Sequence, residues 1–251
     1  MFKTSHVHQV QIRFAELMKK GNLLYNNYFG LAQDEHVDVE SAENTLLIRK
    51  KEFDFYRLYV ISRDEDELES MLSSLEGNVY VINIPSKTII TNWDTLLTRT
   101  GFSFLDVYSR YYNNNIKSFP STIDTFAREE DLDDIASLLY NNFSLYTDHL
   151  PERDELLMMI SNKQILTDYK DGRVCGVLIF SIRGNKGYQN AWIDLGDNAL
   201  ALLFKVKSIF IENGIKYCYY WIKDSNTRVI KMHSMMGGKP DGLKDYTYLK
   251  K

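Results

Sequence analysis

The chain has 251 residues, of which 44% are apolar and 25% charged, and its formal net charge is −4. Those proportions are those of a globular protein. No basic excess or clustered Lys/Arg stripe points to nucleic acid. No apolar run approaches the ~20 residues that span a bilayer, and the N-terminus lacks a signal-peptide core. Cys175 and Cys218 fall in expected interior strands, form no metal-ligand spacing and fit a reducing compartment, so the cytoplasm is expected.

The first half reads as follows. Residues 6–20 place Val7, Val10, Phe14, Leu17 and Met18 at helical spacing. Residues 22–43 are irregular and acidic in their second half, which suggests a solvated loop. Residues 45–48 and 53–61 are strand-like around a turn at 49–52. Asp64 or Asp66 caps a helix to Leu75, with acidic residues in the first turn where the helix dipole favours them. Gly77 stops that helix. A strand over 79–84, a short helix over 92–100, the stop Gly101 and a strand over 104–112 follow. Residues 113–120 are polar, contain Pro120 and read as a linker.

The second half restarts with a short strand at 121–126 and a helix to Phe143, with Leu132, Ile135, Leu138 and Leu139 inward. Pro151 opens a second helix, 152–162. Strands at 165–169, 173–182 and 188–195 form a meander, with a strong Asp171-Gly172 turn signal. A helix over 199–212 precedes Gly214. Residues 217–222 read as a strand buried on both faces. Asp224, Ser225 and Asn226 are candidate helix caps. Val229, Ile230, Met232, Met235 and Met236 form a helical apolar stripe, stopped by Gly237 and Gly238. Residues 246–249 close as a strand.

The order Gly77, strand, helix, Gly101-Phe102, strand recurs as Gly214, strand, helix, Gly237-Gly238, strand. That recurrence suggests an internal duplication. Asn226, Val229, Ile230, Met232, His233, Gly237 and Gly238, with the first-helix run Arg128 to Ile135, resemble the GNAT superfamily of N-acetyltransferases. Two positions depart from the family: His233 stands where a Tyr is common, and Gly238 where a Phe is common.

The resemblance implies an α/β (α+β) fold of two tandem GNAT-like domains, 1–118 and 119–251. Each would have a mixed, mostly antiparallel central sheet flanked by helices, with the first domain degenerate. It implies acetyl-CoA as donor and an amine of a small molecule or peptide as acceptor, with no nucleic-acid or membrane partner. The oligomeric state is left open between monomer and homodimer. The donor would lie along Trp192, Ile193, Leu195, Gly196, Asp197, Asn198 and Ala199, with Asn226 and Arg228 contributing. Asp194 would act as base and His233 as the acid for the departing thiolate. The loop 142–150, which contains His149, would shape the acceptor pocket. Against this stands the cofactor loop: only Gly196 fits the family's glycine-rich form, and Asp194 and Asp197 are anionic beside a phosphate site. A catalytically inactive ligand-binding or interaction module, or a structural scaffold, remains open. So do plain roles for the named residues: Asn226 as a helix cap, Asp194 and Asp197 as caps, His233 as a packed edge residue.

Overall fold

The computed structural model describes residues 2–19, 23–26, 36–117, 119–123, 125–196 and 199–251. Two compact units form, Met1–Val107 with Leu243–Lys251, and Tyr108–Gly242. The expected division at 118 differs from these units because the last strand of each half leaves its own half. Pairing, not sequence proximity, decides where each closing strand belongs.

The first unit begins with β1 (Lys3–His6), α1 (Val7–Met18) and β2 (Leu24–Tyr25). It continues with β3 (His36–Ser41), β4 (Thr45–Glu52), β5 (Phe55–Ser62), α2 (Glu65–Ser73), β6 (Tyr80–Ser86), α3 (Thr91–Arg99) and the start of β7 (Ser103–Asn113). Its sheet runs β1-β3-β4-β5-β6, then β12 (Lys239–Lys250) from the end of the chain. Strand alternation sorts the core. Leu47, Leu58 and Val60 face α2 and α3. Leu46, Ile48, Tyr59 and Ile61 face Val7, Val10 and Leu17 of α1.

Two expectations change here. The stretch expected as an acidic loop carries β3, because Val37 buries against α1 while the half-buried Asp38 and Glu40 take the alternate face; residues 27–35 lie outside the described set. The hairpin turn falls at Phe53 and Asp54, not at the expected 49–52, with Phe53 at φ 46°. Asp64 does cap α2, accepting from the Glu67 amide at 3.0 Å.

The second unit contains the end of β7, α4 (Leu132–Asn142), α5 (Arg153–Ser161), β8 (Ile165–Lys170), β9 (Arg173–Arg183) and β10 (Lys186–Asp194). Then come α6 (Ala199–Glu212), β11 (Tyr217–Lys223) and α7 (Thr227–Met235). Its sheet runs β7-β11-β10-β9-β8. Leu178 and Phe180 of β9 face α6 and α7 with Leu202, Leu203, Val206 and Phe210. Val177 and Ile179 face α4 and α5. The strand expected at 121–126 reduces to one bridge, Phe126 to Leu166. Residues 118, 124, 197 and 198 are not described.

The duplication is visible in the pairing. In each unit an antiparallel meander (β3-β4-β5, then β8-β9-β10) leads through a helix into a parallel partner strand, β6 or β11. Each parallel pair is short and then separates. In the first unit Tyr56 to Leu58 pair with Tyr80 to Ile82. Beyond that point Asn26 bridges the gap. Its side chain donates to Leu58 O at 2.9 Å and Asn83 O at 3.0 Å, and accepts from the Val60 amide at 2.6 Å. Asn83 in turn donates to Thr247 Oγ1 at 2.9 Å and Asp245 Oδ2 at 3.1 Å on β12, and accepts from the buried Arg57 guanidinium.

These bonds satisfy backbone groups that separating strands would otherwise strand away from water. Asn26→Ala orphans three of them, and an unmade buried hydrogen bond costs about 1–3 kcal/mol. Urea unfolding of this variant is expected to show a stability loss of at least that size; an unchanged midpoint would remove Asn26 as the bridge.

Candidate functional site

In the second unit the parallel pair covers Lys186 to Gln189 against Tyr217 to Tyr220. The strands then part. Ala191 to Asp194 continue on β9, and Trp221 to Lys223 continue on β7. A register shift between Gln189 and Ala191 marks a β-bulge at Asn190. A bulge bends its strand and ends local pairing, so this residue opens the gap between β10 and β11.

Side chains on the α6/α7 side line the opening. Gln189 follows Gly187 on the face that packs against Phe210. The bulge returns Trp192 to that same side, where it joins the α6/α7 core and meets His233 edge-on at 6.1 Å. Gln189 is 8% exposed, and its amide nitrogen has no hydrogen-bond partner. The Trp192 indole Nε1 is also buried without a partner. Two buried donors left unmade beside a strand opening are costly in the free protein.

His233 sits on α7 as the sequence expects, but it is 4% exposed. Its ring lies 4.1 Å from that of Tyr220. Burial, aided by the Lys207 charge, pushes its pKa down to about 3. A neutral, enclosed imidazole is a poor acid near neutrality, and the expected role as proton donor to a thiolate does not fit this setting. The two family departures have one cause. A Cβ on Gly238 would fall inside the Tyr220 hydroxyl and meet His233 O at 2.9 Å. Tyr220 takes the space a larger residue at 238 would need, and its own ionisation is pushed up by burial.

The remaining expected site residues are dispersed. Asp194 is the last residue of β10. Its Oδ1 accepts from the Gly196 amide at 2.6 Å, and it lies about three strand residues, ~10 Å, beyond Ala191. There it meets Asp168 and Cys175, with potential ligand atoms all within 4.8 Å of one another. This cluster of two carboxylates and a thiol comes from three adjacent strands, so no sequence spacing announces it. Burial and the two carboxylates push the Cys175 thiol up. Such a set could ligate a divalent cation. It also puts negative charge beside the start of α6.

Ile193 faces the α4/α5 side, opposite Trp192. Leu195 is exposed, and its amide donates to Cys175 O at 2.9 Å. Gly196 packs on Cys175 and Asp194. Asp197 and Asn198 lie outside the described residues, and Ala199 opens α6. Asn226 is the N-cap of α7, accepting from the Val229 amide at 3.2 Å. Arg228 is exposed in the first turn of that helix.

On the opposite face of the sheet a cavity of about 170 Å³ adjoins the bulge. Asn190 and Ala191 form one wall, and the loop residues Asp148, His149 and Leu150 with Glu155 and Met159 form the others. His149 is exposed and has φ 47°. Asp148 accepts from Tyr108 Oη at 2.7 Å and the Ser144 amide at 2.8 Å. The loop 142–150 contributes Asp148, His149 and Leu150 to this cavity, and α5 contributes Glu155.

The buried His233 makes a pH-dependent contribution of known sign. Its folded pKa lies below the ordinary ~6.5 of an unfolded histidine, so the unfolded chain gains the proton first. The contribution is complete above ~6.5 and is lost as pH falls towards about 3, by roughly 1 kcal/mol per pH unit. Lys207 is the charged neighbour acting on it. His233→Leu is expected to lose stability less steeply than the parent between pH 6 and 4 in denaturant titrations. Parallel curves would contradict a buried neutral histidine.

No family model matches the sequence. No curated protein matches it either. Solved structures match its fold. An acetyltransferase of the GNAT family from Colwellia psychrerythraea gives a TM-score of 0.59 at 15% identity over 100% of both chains. A GCN5-related N-acetyltransferase from Sphaerobacter thermophilus gives 0.60 at 12% identity, over 88% of this chain and 82% of its own. A tandem GNAT protein from the clavulanic acid biosynthesis pathway gives 0.58 at 9% identity, over 99% of this chain and 97% of its own. The protein therefore has the tandem GNAT fold, a mixed and mostly antiparallel β-structure flanked by helices.

Proposed function

We propose that this protein is an N-acyltransferase that moves an acetyl or other acyl group from a CoA thioester to an amine of a small molecule or peptide. The observation that carries this reading is the parting of β10 and β11 at Asn190, with the unpartnered Gln189 and Trp192 donors buried at the opening. Fold likeness supports the same reaction class without establishing it, because function resides in the site. The two free thiols, Cys175 and Cys218, fit a reducing, cytoplasmic setting.

Gln189 and Trp192, with unpartnered N–H groups near the opening, would hold the carbonyl oxygens of the donor's arm. Its diphosphate end is less well served: Asp168 and Asp194 oppose anionic charge near the start of α6. The CoA thioester supplies an activated carbonyl when bound. The chain supplies orientation and a base. His149, exposed on the cavity wall beside the bulge, takes the proton an ammonium must lose before its nitrogen can attack. A free thiol ionises near ~8.5, so thiolate departure needs no dedicated acid and His233 is not required for it.

A second reading has its own support. The buried His233 and the Asp168–Asp194 carboxylates favour a catalytically inactive ligand-binding or interaction module. Two measurements separate them. Gln189→Leu removes a costly buried donor, so it is expected to stabilise the free protein by about 1 kcal/mol while weakening acetyl-CoA binding about tenfold by calorimetry. Loss of stability with unchanged affinity would remove Gln189 from the donor site. His149→Ala is expected to lower turnover on amines by roughly 10²-fold or more with acetyl-CoA affinity retained. Absence of any acyl transfer by the parent protein, despite acetyl-CoA binding, would favour the inactive module.

A further inference from the structure

Strand β11 has a face that neither core of the second unit absorbs. Cys218, Tyr220 and Ile222 point into the α6/α7 core, so Tyr217, Tyr219 and Trp221 take the opposite side. There α4 and α5 pack on Val177, Ile179, Ala191 and Ile193 of β9 and β10, and the three aromatic residues are not part of that core. Tyr188 on β10 and Tyr112 on β7 flank Tyr219 across the sheet. Tyr217 is 38% exposed and Trp221 42%.

The rings gather around Tyr219. Its centroid lies 5.7 Å from that of Tyr188, 6.4 Å from Tyr217 and 6.4 Å from Tyr112. Cations sit among them. The Arg110 guanidinium is 5.3 Å from the Tyr219 ring and 5.9 Å from the Trp221 ring, and that of Arg183 is 5.8 Å from Tyr188. Exposed Lys186 lies directly opposite Arg183 on the paired strand. Like charges placed opposite each other repel, and an anion between them removes that repulsion. Among the described residues, the alternate positions of β7, β9, β10 and β11 around this cluster hold no Asp or Glu. Asp241 of β12 reaches it and is paired with Arg110 at 2.6 Å. The sequence shows no basic stripe because strand register, not chain proximity, brings Arg110, Arg183 and Lys186 to one face.

We infer that this face binds a short stretch of single-stranded nucleic acid, independently of any acyl transfer. Bases stack on the Tyr217, Tyr219 and Trp221 cluster, the Arg110 guanidinium adds a further flat surface, and phosphates meet Arg183 and Lys186. Rings and cations are one side chain apart, so the base and the phosphate of one nucleotide are met together. An acidic peptide would use the cations but bring no π-face to the rings. Tyr217 and Trp221 are four strand residues apart, ~13 Å, and a sheet with exposed aromatics stacks two or three bases. A duplex keeps its base faces in its own stack and cannot use the platform. The chain's net charge of −4 opposes long-range attraction, so affinity rests on local stacking.

The test is fluorescence anisotropy of end-labelled hexauridylate and hexathymidylate with the full chain at low salt, with a short labelled duplex alongside and hexaglutamate as competitor. The single strands are expected to bind at least about tenfold more tightly than the duplex, and hexaglutamate at equal concentration is expected not to displace them. The tighter of the two oligonucleotides distinguishes RNA from DNA as the source. Two phosphate contacts give a slope of about −1.4 in log affinity against log salt. Tyr217→Ala and Trp221→Ala, both at exposed positions, are expected to weaken binding about tenfold each with melting unchanged. Arg183→Gln is expected to flatten the salt slope by about 0.7. Equal binding of the duplex, full affinity in both aromatic variants, or no binding up to millimolar protein would overturn the inference. Displacement by hexaglutamate would also overturn it and assign the face to an acidic protein partner.

Discussion

The site depends on one extra residue in one strand. Parallel strands β10 and β11 could pair along their length, since β11 continues to Lys223 and β10 to Asp194. The bulge at Asn190 stops that pairing after Gln189 and turns Trp192 to the α6/α7 side. The proposed site is arranged around that break. The buried donors face one side of the opening, and the cavity with its two carboxylates lies on the other.

The first unit shows what happens when the same break is filled from within. β5 and β6 part after Leu58 and Ile82, and Asn26 inserts its carboxamide to bond three backbone groups across the gap. Arg57, Asn83 and Thr247 extend that network. The backbone requirement is the same in both units, because parted strands leave amides and carbonyls that need partners. The first unit meets it with its own chain. In the second unit the side-chain donors of Gln189 and Trp192 remain unpaired near the parting.

Burial also explains the residues that changed roles. His233 has the right sequence offset for an acid, yet Tyr220 and Trp192 enclose it and hold it neutral. Asp194 has the right strand end for a base, yet its carboxylate turns back onto the Gly196 amide and towards Asp168 and Cys175. Offset along a chain gives helix and strand position. It does not give the direction or exposure of the side chain.

Periodicity and turn chemistry were sufficient for most elements: α1, α2, α4, α5, α6 and the β8-β9-β10 meander lie within a few residues of where alternation, glycine stops and caps put them. The repeated order of strand, helix, glycine and strand was likewise written in the sequence, and with it the duplicated fold. These are local properties, set by which faces are apolar over a few turns. The acidic stretch at β3 was misjudged because its strand is made by pairing with β4, not by its own composition. The assignment of β12 to the first unit, the bulge at Asn190, the Asn26 bridge and the meeting of Asp168, Cys175 and Asp194 were decided by tertiary structure alone. Each joins residues far apart in the chain through strand register, and register is a property of the assembled sheet.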